Sequence, residues 1–229
     1  MKKQAVILLI GILLIVSCYK TTTPTKSFVC GDTISDVDGN TYHTVSIGTQ
    51  CWMQENLKTS KYKDSTVIPN ATDNGAWLAN ISGAYVVYDN NSANNTTYGK
   101  LYNWYTVNTG KLAPAGWHVP TDAEWTTLTT YLGGENIAGD KMKATTLWIP
   151  FTGITNTNSS AFTGLPAGAR SDYQGLFYYI GSGGFFWSST ALPSPSINAW
   201  SRSLGYNNSN AYRIFNTKQN GFSVRCVKD

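Results

Sequence analysis

Many short strands and tight turns, with few and short helices, is the architecture this sequence predicts. Three observations predict it. Charged residues are only 13% of the 229, while aromatic residues are another 13%. The 21 glycines and 8 prolines recur along the chain and punctuate it into short pieces. One stretch, Gly110–Gly134, carries a full set of helix start and stop signals. Disorder is excluded, because a disordered chain is highly charged and poor in aromatics.

In the helix stretch, Pro114 and Gly116 are turn residues. Thr121 is the expected N-cap, and Glu124 stands three residues on, as a capping box requires. Trp125, Leu128 and Leu132 form one apolar stripe at helical spacing. Gly133-Gly134 supplies the left-handed stop. So short a helix is marginal alone in water, so its Trp125 stripe is expected to pack on a sheet.

Met1–Ser17 is expected to be a signal peptide. Lys2-Lys3 is its positive region, and Ala5–Val16 is an apolar run too short to span a bilayer comfortably. It ends Ile15-Val16-Ser17-Cys18, which resembles a bacterial lipobox. That resemblance implies cleavage before Cys18 and lipidation there; the plainer reading is an ordinary signal with a chance cysteine. Several acyl chains on one residue would anchor stably. Residues 18–27 then read as the lipidated N-terminus and its tether, and 28–229 as a single domain. The expected partner is thus the membrane, through the lipid, and the expected location is the cell envelope, at the outer membrane. The formal charge of +4 falls to 15 basic against 13 acidic residues once Lys2 and Lys3 leave. No basic run is present, so nucleic acid is not an expected partner.

Asp38-Gly39 marks a hairpin turn. Asp36–Asn40 also invites a calcium reading, but its glycine comes too early for an EF-hand loop and the distal Glu is missing. Trp52, Met53 and Leu57 read as core. Lys58–Gly75 reads as a long loop, Ala84–Tyr88 as a β-rich run, and Asp89–Thr97 as a surface loop. Tyr98–Val107 is a second helix candidate, with Leu101, Trp104 and Tyr105 at helical spacing; an aromatic strand is the competing reading. Ala138–Ala144 suggests one helical turn. The last segment reads as an antiparallel meander. Trp200, Arg202, Leu204 and Tyr206 share a face, Asn207–Asn210 and Asn220-Gly221 are turns, and Phe222, Val224 and Cys226 point together.

With these pieces placed, the chain resembles the Fibrobacter succinogenes major paralogous domain family, whose members are bacterial surface modules, often lipoproteins. The stretches that carry the resemblance are DVDGNTYHTVSIG, CWMQENL, YGKLYNWYTVNTGKL, GWHVPTDAEW, WSST and GFSVRCVKD, from about Asp36 to Lys228. The resemblance implies a mixed α+β, C-type-lectin-like fold: two short helices packed on antiparallel sheets, with long loops. It also implies a disulfide between Cys51 and Cys226, stapling an early segment to the last strand, with Cys30 left over.

The same segments resemble the formylglycine-generating enzymes, which use a reactive C-x4-C pair near the C-terminus. Here the only late cysteine is Cys226, and Gly occupies position 221. Calcium-dependent lectins use a Trp-Asn-Asp motif, where this chain has Trp187-Ser188-Ser189. His43 and His118 read as structural or exposed. No zinc spacing, phosphate-cradling loop or nucleophile elbow around Ser188 and Ser189 is present. Asp122 and Glu124 are accounted for by capping. No catalytic residue, metal site or cofactor is therefore expected.

The expected function is non-enzymatic binding of a ligand or partner, with carbohydrate first and a surface protein second. A secreted enzyme related to the formylglycine-generating branch and a purely structural envelope component are the alternatives. Two aromatic stretches with polar neighbours suit a ligand surface: Arg170–Tyr179, with Arg170, Asp172 and Tyr173, and Trp200–Arg213, with Tyr206, Asn207, Asn208, Tyr212 and Arg213. Trp187 and Trp200 read as core.

Overall fold

The structure is a computed structural model that describes residues 27–229. The signal peptide, Cys18 and nearly all of the tether lie outside the described residues. In chain order the elements are β1 (Ile34–Ser35), β2 (Thr41–Tyr42), β3 (Thr44–Ile47), β4 (Gln50–Met53), α1 (Asn74–Ala79), β5 (Tyr85–Val87), α2 (Ala93–Tyr98) and β6 (Lys100–Tyr102). There follow α3 (Trp104–Val107), β7 (Trp117–His118), α4 (Asp122–Tyr131), α5 (Glu135–Met142), β8 (Ala167–Arg170), β9 (Phe177–Ile180), β10 (Gly183–Ala191), β11 (Asn198–Gly205), β12 (Ala211–Thr217) and β13 (Val227–Lys228).

The result is mixed α+β. A five-stranded sheet runs β12-β11-β10-β8-β9, and a four-stranded sheet runs β3-β4-β13-β7. Two further strand pairs are β1-β2 and β5-β6. Every pairing is antiparallel except β8 with β10.

Helix α4 forms where its local signals place it. The Thr121 hydroxyl accepts from the Glu124 amide, and the Glu124 carboxylate accepts from the Thr121 amide at 2.7 Å. At the far end the Gly134 amide donates to Thr129 O and the Gly133 amide to Thr130 O, with φ of 98° and 102°. That pair is a Schellman stop, and glycine meets its left-handed geometry without steric cost. Trp125, Leu128 and Leu132 are buried against Trp52, Phe162 and Phe186. The Trp52 and Trp125 rings stand 4.8 Å apart at 49°. This cluster joins the helix to both large sheets. A second core, around Tyr42, Met53, Tyr102, Trp187, Phe222 and Val224, lies on the other side of β10.

Three expectations for the helices are corrected. The described residues hold five α-helices and a 3-10 turn at Tyr88–Asn90 rather than two helices. Tyr98–Val107 is not one helix: Gly99 turns the chain at φ 75°, β6 carries Leu101 into a buried pairing with β5, and Asn103 caps a new helix, α3. A Cβ at Gly99 would lie 2.9 Å from Leu57 O. Tertiary packing thus overrides the helical spacing of Leu101 and Trp104. The loops at 58–75 and 89–97 end in or contain α1 and α2, and the turn at 138–144 belongs to the longer α5.

The disulfide is also corrected. Cys30 pairs with Cys51, their Cα atoms 5.9 Å apart, and Cys226 is a buried thiol. The register explains it. β13 sets Val227 opposite Trp52, and the Met53 amide donates to Cys226 O, so Cys226 sits beside Met53 rather than Cys51. Burial drives the Cys226 thiol far above its ordinary pKa.

Three arginines are buried and hold loops to the core. Arg225 donates to Asn56 Oδ1 at 2.6 Å and to the carbonyls of Met53, Phe162 and Thr163, with its guanidinium over the Phe162 ring. Burial pulls its pKa down to about 9. Arg202 reaches Asp122 at the start of α4. Arg170 is described with the site.

Candidate recognition cleft

The loop Asp36–Asn40 is a self-contained turn. Asp36 Oδ1 accepts from the Asp38 and Asn40 amides, and its Oδ2 accepts from Asn40 Nδ2 and the Tyr42 hydroxyl. Asp38 is spent on Ser60 and Lys61. Burial raises its pKa, but the Ser60 and Lys61 contacts outweigh that and bring it to about 2. Among the described residues no three His, Cys, Asp or Glu side chains converge as a metal site would need.

His118 lines a small cavity with Val107, Val119 and Ser189. Both its ring nitrogens are occupied, Nδ1 by Asp229 at 2.7 Å and Nε2 by Glu124 at 2.8 Å. It ties the α4 capping box to the end of the chain and has no free nitrogen for a proton transfer. A wider hollow of about 550 Å³ lies between Gly48-Thr49 and the outer face of α4. Its Thr126 and Thr127 hydroxyls donate back to the carbonyls of Asp122 and Ala123, so those donors are spent within the helix.

A cleft of about 350 Å³ opens on the five-stranded sheet, lined by Ser171, Asp172, Tyr178, Tyr179, Phe185, Asn216, Asn220 and Phe222. Its floor is Phe185 stacked on Phe222, 5.1 Å apart at 21°. Its wall is Tyr178 and Tyr179, 40% and 59% exposed, the Tyr179 ring 5.6 Å from Phe185 and 6.0 Å from Tyr178. Neighbours in a regular strand point to opposite faces. Tyr179 breaks that alternation with a φ of 69°, so both rings line the cleft. A tyrosine in the left-handed region carries backbone strain of order 1 kcal/mol or more, of the kind found at binding sites.

The polar rim comes from distant segments. The Asp172 amide donates to Asn220 Oδ1 at 3.2 Å, and Asn220 Nδ2 to Thr217 O. Mutual amide bonds between Arg170 and Gly221 tie the two loops at their base. Asn216 Nδ2 donates to Ser201 Oγ at 2.9 Å. Among the described residues the Asp172 carboxylate has no hydrogen bond or ion pair, and Asn216 Oδ1 has no donor.

The eight residues expected to form a ligand surface do not form one. Asp172 is in the cleft, Tyr173 is 81% exposed on the loop beside it, and Tyr212 shares the Asn216 face of β12. Arg213 projects from the opposite face of the sheet. It stacks on Trp200 at 3.5 Å and pairs with Asp122. Trp200 itself is half-buried rather than core, whereas Trp187 is fully buried.

Tyr206 packs edge-on against Phe151 at 5.6 Å. Asn207 and Asn208 form the β11–β12 turn, whose Asn208 carbonyl accepts from the buried Lys143 ammonium. Arg170 is a correction: it is fully buried, between Trp77 and Phe177, and donates to the carbonyls of Gly175, Ala71 and Thr72 and to Asn74 Oδ1. Burial outweighs the pull of Asp73 and takes its pKa down to about 10. It holds the cleft's loop from behind and cannot touch a ligand.

Tyr178 and Tyr179 lie in the expected 170–179 stretch but were not singled out within it, and Phe185, Asn216 and Asn220 were missed. One signal was present. Phe177-Tyr178-Tyr179 is an aromatic run that no period-two strand can bury on one face.

The family model described as the Fibrobacter succinogenes major domain matches residues 45–228. The chain belongs to that family. The match spans all but the first hairpin of the described fold, and so includes every residue lining the cleft. No curated protein and no solved structure is similar enough to match.

Proposed function

We propose that this family member is a cell-envelope lipoprotein, anchored through Cys18 in the outer membrane, whose lectin-like domain recognises a ligand without transforming it. The observation that carries the reading is the cleft. Its exposed tyrosines are surplus to the core, and one of them is held in a strained conformation that aims it inward. Convergent polar groups beside aromatic surface are what a recognition site requires. The groups that could serve chemistry are otherwise engaged: His118 has both nitrogens bound, and Cys226 is buried. Carbohydrate suits the combination better than protein, because the cleft is small and concave.

Two experiments test this reading. In cells, Cys18→Ser should move the protein from the membrane fraction to the soluble one; unchanged partitioning contradicts the anchor. On glycan and protein arrays, the protein should show a binding activity that Tyr179→Ala together with Asn216→Ala removes. Binding that survives both substitutions contradicts the cleft.

A further inference from the structure

The cleft's charge and shape narrow the ligand class, on the reading that the cleft is the recognition site. We infer that it takes an uncharged sugar ring, packed where the Tyr179 wall meets the Phe185 floor, with its hydroxyls on Asp172 and Asn216. Three observations converge on this.

The first is charge. Among the described residues Asp172 is the only ionisable group lining the cleft besides the tyrosine phenols. The nearest arginine in sequence, Arg170, is sealed on the other side of its strand. An anionic ligand would meet a carboxylate with no cation to offset it, so uronic acids, sulfated glycans and phosphates are disfavoured.

The second is shape. The Tyr178, Tyr179 and Phe185 rings touch in sequence, at 6.0 and 5.6 Å. Tilted by 46° and 51° to one another, they form a bent shelf in which the tyrosine wall runs down to the Phe185 floor. A quaternary ammonium is held best by rings on several sides of it, and here the rest of the lining is Ala169 and the polar rim of Ser171, Asp172, Asn216 and Asn220. A pyranose presents an apolar face of C–H groups, which matches the electron-rich face of an aromatic shelf.

The third is the rim. The Asp172 carboxylate and Asn216 Oδ1 are acceptors with no donor among the described residues, and hydroxyls are donors that fill them. Asn220 differs, because its side chain is already committed to the Asp172 amide and Thr217. It shapes the rim and is not a primary ligand contact.

The test is a microarray carrying neutral oligosaccharides and uronic-acid glycans, with tetramethylammonium as a soluble competitor. It uses the purified protein, Tyr179→Gly and Asp172→Asn. Tyr179→Gly removes the shelf while suiting the left-handed backbone, and a thermal melt checks that it folds; Asp172→Asn keeps the shape of the rim.

Neutral glycans should bind, Tyr179→Gly should abolish the signal, and Asp172→Asn should weaken it about tenfold, as loss of a charged acceptor does. Preferential binding of acidic glycans, or competition by tetramethylammonium, that Tyr179→Gly abolishes overturns the sugar class but leaves the cleft standing. Neutral-glycan binding unchanged in both variants overturns the cleft as well. No binding to any glycan overturns this inference.

Discussion

Asp122 lies between two arginines, its Oδ1 2.7 Å from Arg202 and its Oδ2 2.8 Å from Arg213, and it stands in the first turn of α4. Three elements thus meet at one carboxylate. Burial raises its pKa, but the two guanidinium contacts outweigh that and leave it below the ordinary value. A depressed carboxylate contributes stability above its unfolded pKa and loses it as pH falls through the folded one. Asp122→Asn should therefore cost about 3 kcal/mol, because Arg202 keeps a buried charge without a counter-ion. The variant should also lose part of the stability change below about pH 4. Urea melts at pH 7 and pH 3 check both; equal losses at the two pH values contradict the account.

His118 gives the opposite pH dependence. Burial lowers its pKa, but its bonds to Asp229 and Glu124, with their charges, leave it raised. Its contribution is complete below the unfolded value of about 6.5 and fades as pH rises through the folded one. His118→Gln should flatten the stability profile above about pH 6.5 while leaving the α4 capping box intact. Thermal melts from pH 5 to 9 measure this, and an unchanged slope contradicts it.

The Cys30–Cys51 loop spans 21 positions. Its loss in Cys30→Ser should cost about 3 kcal/mol in the chain-entropy view. Peptide mapping without reduction should recover Cys30 linked to Cys51. The Cys226 thiol should react with Ellman's reagent only after denaturation. A linked Cys51–Cys226 peptide contradicts the register of β13 against β4.

Arg225 joins Asn56 to the segment at 162–163 from within the core. Arg225→Met should cost about 3 kcal/mol or more, since it strands several buried acceptors at once. A loss below 1 kcal/mol in a urea melt would show that those acceptors find other partners.

Helix α4 was legible because its signals are local: a cap, a box, a stripe and a glycine stop lie within fourteen residues of one another. The β11–β12 hairpin was legible for the same reason, its turn falling at Asn207–Asn210, whereas the chain after Asn220-Gly221 leaves that sheet and ends as β13 between β4 and β7. The split of 98–107 was not, because Gly99 and Leu101 answer to strand β5 and to Leu57 rather than to their neighbours. Arg170 misled because charge ordinarily marks surface, whereas this guanidinium replaces water for four loop acceptors. The cleft was only partly legible. Asp172 and the 170–179 stretch could be named, but Asn216 reaches it only through the folding of β12 against β11.

The account's central claim is recognition at the Tyr179 shelf. Isothermal titration of the protein and of Tyr179→Gly with a neutral oligosaccharide selected on the array tests it most directly. The protein should bind, and the glycine variant should not, while its melting temperature stays within a few degrees because the relief of left-handed strain offsets the lost ring contacts. Equal binding by the two proteins would contradict the claim.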